Sequence, residues 1–195
     1  MSAQADSGPW PSALGFNLAT FVIISLMDAP LIYRAMARYN RWMNDKLYEV
    51  SATLSDEERK RDLKAPFRSL HGTFNHLLLA DRIWMGRFTG QPYAAKSLTE
   101  ELYADFDEMR DARQMQDEEI TRWADALTSE QLGGTLHYTS IVNPQPYSLP
   151  FWLCAHQLFN HQTHHRGQVT ALLEQLGADC GVTDFMLLPG AAELR

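Results

Sequence analysis

Apolar residues recur at helical spacing in four stretches of the chain, and these stretches set the expected fold. Over about residues 31–54 the stripe is Tyr33, Met36, Met43, Leu47, Val50 and Leu54, with the polar Asn40 inside the same row. Ser55, followed by Asp56, Glu57 and Glu58, predicts an N-capped short helix, and Pro66 breaks the chain after it. A second long helix is expected over about residues 69–88, closed by Gly90. A third, over about residues 105–127, is the most charged and is expected to be the most exposed. A fourth covers about residues 149–176 and stops at Gly177. Between the third and fourth, residues 133–150 are rich in Gly, Pro, Thr and Tyr, which predicts a short hairpin or an ordered loop. The expected fold is all-α: an up-and-down four-helix bundle with a short hairpin or loop before the last helix. Phe185 to Leu188 are expected to pack back onto it.

Residues 1–29 stand apart as an N-terminal extension, with a bundle domain over residues 30–195. The apolar run from Phe16 to Met27 is too short to span a bilayer comfortably, and no positive charge precedes it as in a secretory signal. It reads as a peripheral strand or helix. Removal as a signal, or a start at Met27 or Met36, are the alternatives.

Composition narrows the function classes. A chain of 195 residues with 45% apolar content is one globular domain with a proper core. Its net charge of -7 argues against broad contact with nucleic-acid phosphates, and no membrane partner is expected. Cys154 and Cys180 stand in no metal or redox spacing, so they read as free thiols of a cytoplasmic protein.

The chemistry lies in the histidines. His161, His164 and His165 fall within "NHQTHHRGQ" in the fourth helix. Residues four apart differ by about 40° around a helix. Cys154, Leu158, Val169, Leu172 and Leu176 define the apolar stripe; His161 and His165 fall on it, and His164 points away. Two imidazoles on an apolar face must satisfy two ring nitrogens each, either as hydrogen-bonded core histidines or around a shared cation. In the second helix His76 lies on the flank of the stripe formed by Thr73, Leu77, Ala80 and Trp84, which makes it the candidate third ligand, whereas His71 points away. Asp81, on the apolar face of the same helix, either holds a ligating ring or pairs with an arginine. Asn40, Gln157 and Gln168 are candidates to line a pocket or to bond between helices.

The segments "YNRWMNDKLYE", "FNHLLLADRIW" and "NHQTHHRGQV" resemble the DinB family, related to the YfiT-like metal-dependent hydrolases. The resemblance covers about residues 31–176. It implies a four-helix bundle holding one divalent metal through His76, His161 and His165, and a homodimer. Imidazole donors suit zinc, nickel, iron and copper; zinc or nickel is expected first and iron next. The resemblance also implies a metal-dependent enzyme, a transferase using a low-molecular-weight thiol or a hydrolase. No HExxH motif is present, so a protease-type general base is not apparent. The alternatives are a non-catalytic, metal-stabilised stress-response protein, or a dimeric assembly protein built through Tyr39 and Trp42.

Overall fold

The computed structural model describes residues 29–141 and 143–193. Four long helices form the body: α1 (Ala29–Ala52), α3 (Leu70–Thr89), α4 (Phe106–Ala126) and α6 (Phe151–Gln175). Two short helices, α2 (Asp56–Lys60) and α5 (Ser129–Leu132), sit in the connections. A hairpin pairs β1 (Thr135–Thr139) antiparallel with β2 (Pro146–Pro150) just before α6. Helix α1 packs on α4 and α6, and α3 packs on the same two helices. The apolar run at residues 16–27 lies outside the described residues.

Local chemistry sets the helix boundaries. Ser55 and Glu58 form a reciprocal capping box on α2. The Ser69 hydroxyl accepts from the Gly72 N–H at the start of α3, and Gly90 closes that helix with φ 72°.

The core has two apolar clusters stacked along the bundle. One holds Met43, Leu47, Phe74, Leu78, Met109, Val169 and Leu173. The other holds Tyr33, Ala37, Met85, Ile120, Leu158 and Phe159. Between them in every helix lie buried polar residues: Asn40 and Asn44 on α1, Asp81 on α3, Arg113 and Asp117 on α4, Gln162 and Arg166 on α6. Arg113 bonds Asp117 through Nε (3.1 Å) and Nη2 (2.9 Å), and reaches Asp81 with Nη1 at 2.6 Å. Asn40 and Asn44 donate to Asp117, Gln162 donates to Asp81, and Arg166 donates to the side-chain oxygens of Asn40 and Gln162. The layer carries two carboxylates and two guanidiniums, so its formal charges balance, and it ties all four helices together. Helix α4 is therefore less exposed than its charge suggests, because Arg113, Gln116 and Asp117 face inward.

The tail covers part of α1. The Tyr39 hydroxyl donates to the Thr183 carbonyl, and the Phe185 ring meets Tyr39 edge-on at 4.9 Å. Trp42 packs against the core, with the Lys46 ammonium 5.6 Å from its ring centre. The chain's own tail thus contacts Tyr39, one of the two residues named for a dimer contact. Leu188 is buried, whereas Met186 and Leu187 stay exposed. Both cysteines are buried and unbridged. Among the described residues, no helix is long and apolar enough to cross a membrane.

Candidate metal centre

Helices α3 and α6 bring His76, His161 and His165 together, with one donor nitrogen from each within 4.8 Å of the others. His161 and His165 stand one turn apart on α6, their Nε2 atoms 3.1 Å apart. The His76 ring centre is 4.7 Å from that of His165 and 5.3 Å from that of His161.

The partners of the outer nitrogens decide which way each ring works. His76 Nδ1 lies 2.9 Å from the Leu98 carbonyl oxygen, which can only accept, so Nδ1 carries the proton and Nε2 the lone pair. His165 Nδ1 lies 2.8 Å from Gln168 Oε1, which fixes the same tautomer. The Gln168 amide is oriented in turn, because its Nε2 donates to His164 Nε2 at 3.3 Å. His161 Nδ1 is buried with no hydrogen-bond partner among the described residues. Its Nε2 must then supply the one proton in the 3.1 Å contact with His165. Two fixed lone pairs and a third nitrogen converge on one small volume, and a single N–H cannot satisfy them all. A cation would. Two nitrogens about 2.0–2.1 Å from one tetrahedral zinc ion lie about 3.3 Å apart, close to the separation found here.

Burial keeps these rings neutral, the form in which imidazole ligates. Desolvation pushes His161 down to about 3, with help from positive charge that would form on His165, His76 and His164. Desolvation likewise lowers His76 and His165, opposed at His76 by the Leu98 carbonyl and at His165 by Gln168.

The other residues singled out by the sequence fall into place around this trio. His164 is exposed beside His165. His71 is buried on another face of α3, with Nε2 at 2.8 Å from the Tyr103 carbonyl. Asp81 pairs with Arg113, the second of its two readings, and Asn40 joins the same buried layer. Gln168 reaches the histidines, whereas Gln157 is exposed. Sequence periodicity did not reveal Phe67, whose ring stacks on His76, because that residue lies in a loop.

The sequence model of the DinB family matches residues 27–194. The chain belongs to the DinB family. A curated relative, Protein DinB from Bacillus subtilis (strain 168), is 27% identical over 157 residues, covering 76% of this chain and 88% of the relative. The crystal structure of a DinB-like protein from Bacillus cereus ATCC 10987 matches with a TM-score of 0.53 at 20% identity. That match covers 72% of this chain and 89% of the other. At that identity it supports the helical DinB-like fold alone. The three histidines of this DinB-family chain are a group that could hold a metal ion.

Proposed function

We propose that His76, His161 and His165 hold one divalent metal ion, zinc or nickel before iron, and that the protein is a metal-dependent enzyme acting on a small molecule. The observation that carries this reading is the convergence of three imidazoles, two of which, His76 and His165, have their tautomers fixed from outside by Leu98 and Gln168. Three histidine donors leave room for a further ligand, as catalytic rather than closed structural sites do. A bound ion of this kind lowers the pKa of water or of a thiol and polarises a carbonyl. The chain's own contribution is to hold three neutral imidazoles at fixed angles. A cleft of about 680 Å³ opens beside His76, between Phe67, Asn75 and Glu101, and is of a size that takes a small molecule.

The test is elemental analysis of protein purified without a histidine tag, followed by thiol-transfer and hydrolase assays on loaded protein and on His161→Ala. About one metal per chain, with turnover lost in the variant, is the expected result. Equal turnover in both would remove the metal from the reaction. Chelator-sensitive melting without turnover would favour the non-catalytic reading.

Gln168 gives a finer check. Gln168→Leu is expected to weaken metal binding by about 10–100-fold, as loss of a ligand's outer hydrogen bond commonly does. Gln168→Glu keeps an acceptor at His165 Nδ1 and should bind nearer to wild type. Competition against a chromogenic chelator measures both; equal affinity for wild type and the leucine variant would sink the role given to Gln168.

A further inference from the structure

We infer that Phe67 is a positioning residue for the metal centre, clamping His76 face-on while Leu98 holds its edge; this rests on the metal reading above. The Phe67 and His76 ring centres are 3.8 Å apart and their planes differ by 14°. The same phenyl ring meets His165 edge-on at 5.5 Å. A hydrogen bond from Nδ1 to Leu98 restrains the imidazole but leaves tilt of the ring plane within the angular tolerance of that bond. A flat stack on the ring face removes it. Together the two contacts set both the plane of His76 and the direction of its Nε2 lone pair.

The loop around Phe67 is built to hold that ring in place. Lys64 and Arg68 both take left-handed backbone conformations, with φ of 61° and 68°. Each is unfavourable for a residue bearing a side chain and persists only where its surroundings enforce it. Here the Leu63 N–H donates to the Arg68 carbonyl (2.7 Å), the Arg68 N–H to Ala65 (2.8 Å) and the Ser69 N–H to Phe67 (2.8 Å). Arg68 is tied sideways to Asp62 through Nε (3.2 Å) and Nη2 (3.1 Å). On the helix side, a Cβ at Gly72 would come within 2.2 Å of the Phe67 carbonyl oxygen. Glycine there is what lets the Phe67 backbone approach α3 closely enough for its ring to lie on His76.

The experiment compares wild type with Phe67→Ala, Phe67→Leu and Phe67→Tyr by three readouts. Proton NMR of metal-free protein follows the His76 ring signals, which the phenyl ring current displaces. Chelator competition gives zinc affinity, and the visible absorption of cobalt-loaded protein reports the ligand field. Phe67→Ala is expected to lose the ring-current displacement, bind zinc about tenfold more weakly and change the cobalt bands. Phe67→Leu, which keeps an apolar side chain to preserve the fold, should shift the same way. Phe67→Tyr should restore all three signals. Zinc affinity within twofold of wild type and an unchanged cobalt spectrum in folded Phe67→Leu would overturn the inference. Wild type that takes up no metal would instead overturn the metal reading. The NMR arm would then decide the clamp by itself, against it if the His76 signals of Phe67→Ala stay in place.

Discussion

Arg113→Ala is expected to cost about 3–5 kcal/mol of unfolding free energy, because it strands two buried carboxylates. Asp81 and Asp117 are 0% and 1% exposed, and Arg113 is the only cation in direct contact with either among the described residues. Alanine removes three hydrogen bonds at once and leaves a cavity where the guanidinium lay. The pH dependence set by these carboxyls should also steepen. Burial already pushes the Asp117 carboxyl up to about 6 against the pull of Arg113. Without Arg113 it rises further. A carboxyl whose folded pKa exceeds its unfolded value of about 4 takes up protons on folding between those two values. Its contribution to stability is therefore lost as pH rises through that window and regained as pH falls. The deficit of Arg113→Ala should be largest near pH 7 and shrink toward pH 5. Urea unfolding followed by circular dichroism at both pH values measures this. A loss below about 1 kcal/mol at pH 7 would mean that the layer is not held by this ion pair.

This layer also marks the limit of what the sequence discloses. The four long helices are legible because each carries a period, and the ends of some are marked as well: Ser69 and Gly90 bracket α3, and Gly177 follows α6. His161 and His165 are legible for the same reason, since the i, i+4 relation is a property of one helix. Asn40 and Asp81 are visible as polar residues in apolar rows, yet their partners belong to other helices. Which arginine meets Asp81 depends on how α3 and α4 pack, and one-helix phase carries no such information. Gln157 shows the reverse error. Phase gives a direction around the helix, and nothing covers that direction one turn before His161, so Gln157 is exposed. Phe67 has no periodicity to betray it, because its placement comes from two left-handed residues and a close approach to Gly72.

His161→Ala should abolish stoichiometric metal binding, whereas His164→Ala, three residues on, should retain about one ion per chain. The contrast follows from position: His161 contributes a nitrogen to the trio, while His164 is exposed and bonded to the Gln168 amide. Two remaining histidines would form a weaker site, because each lost imidazole removes a whole coordinate bond. The stability readout is large as well. Metal at about 100 times its dissociation constant should stabilise wild type by about 2.7 kcal/mol, a rise in Tm of about 5–10 °C. His161→Ala should show none of it. Acid sharpens the distinction. Burial lowers the pKa of all three rings, to about 3 for His161, so the folded trio binds fewer protons than the unfolded chain below pH 6.5. Stability of metal-free wild type should therefore fall as pH drops below about 6.5, and part of that fall should disappear in His161→Ala. Metal uptake should stay nearly level from pH 8 to about 6.5, because the folded ligands are already deprotonated there. Thermal melts of wild type and both variants with and without zinc, repeated at pH 7.5 and 5.5, read out the stability shifts, and elemental analysis across pH 6.5–8 reads out the stoichiometry. A zinc-induced shift in His161→Ala equal to that of wild type would place the ion elsewhere.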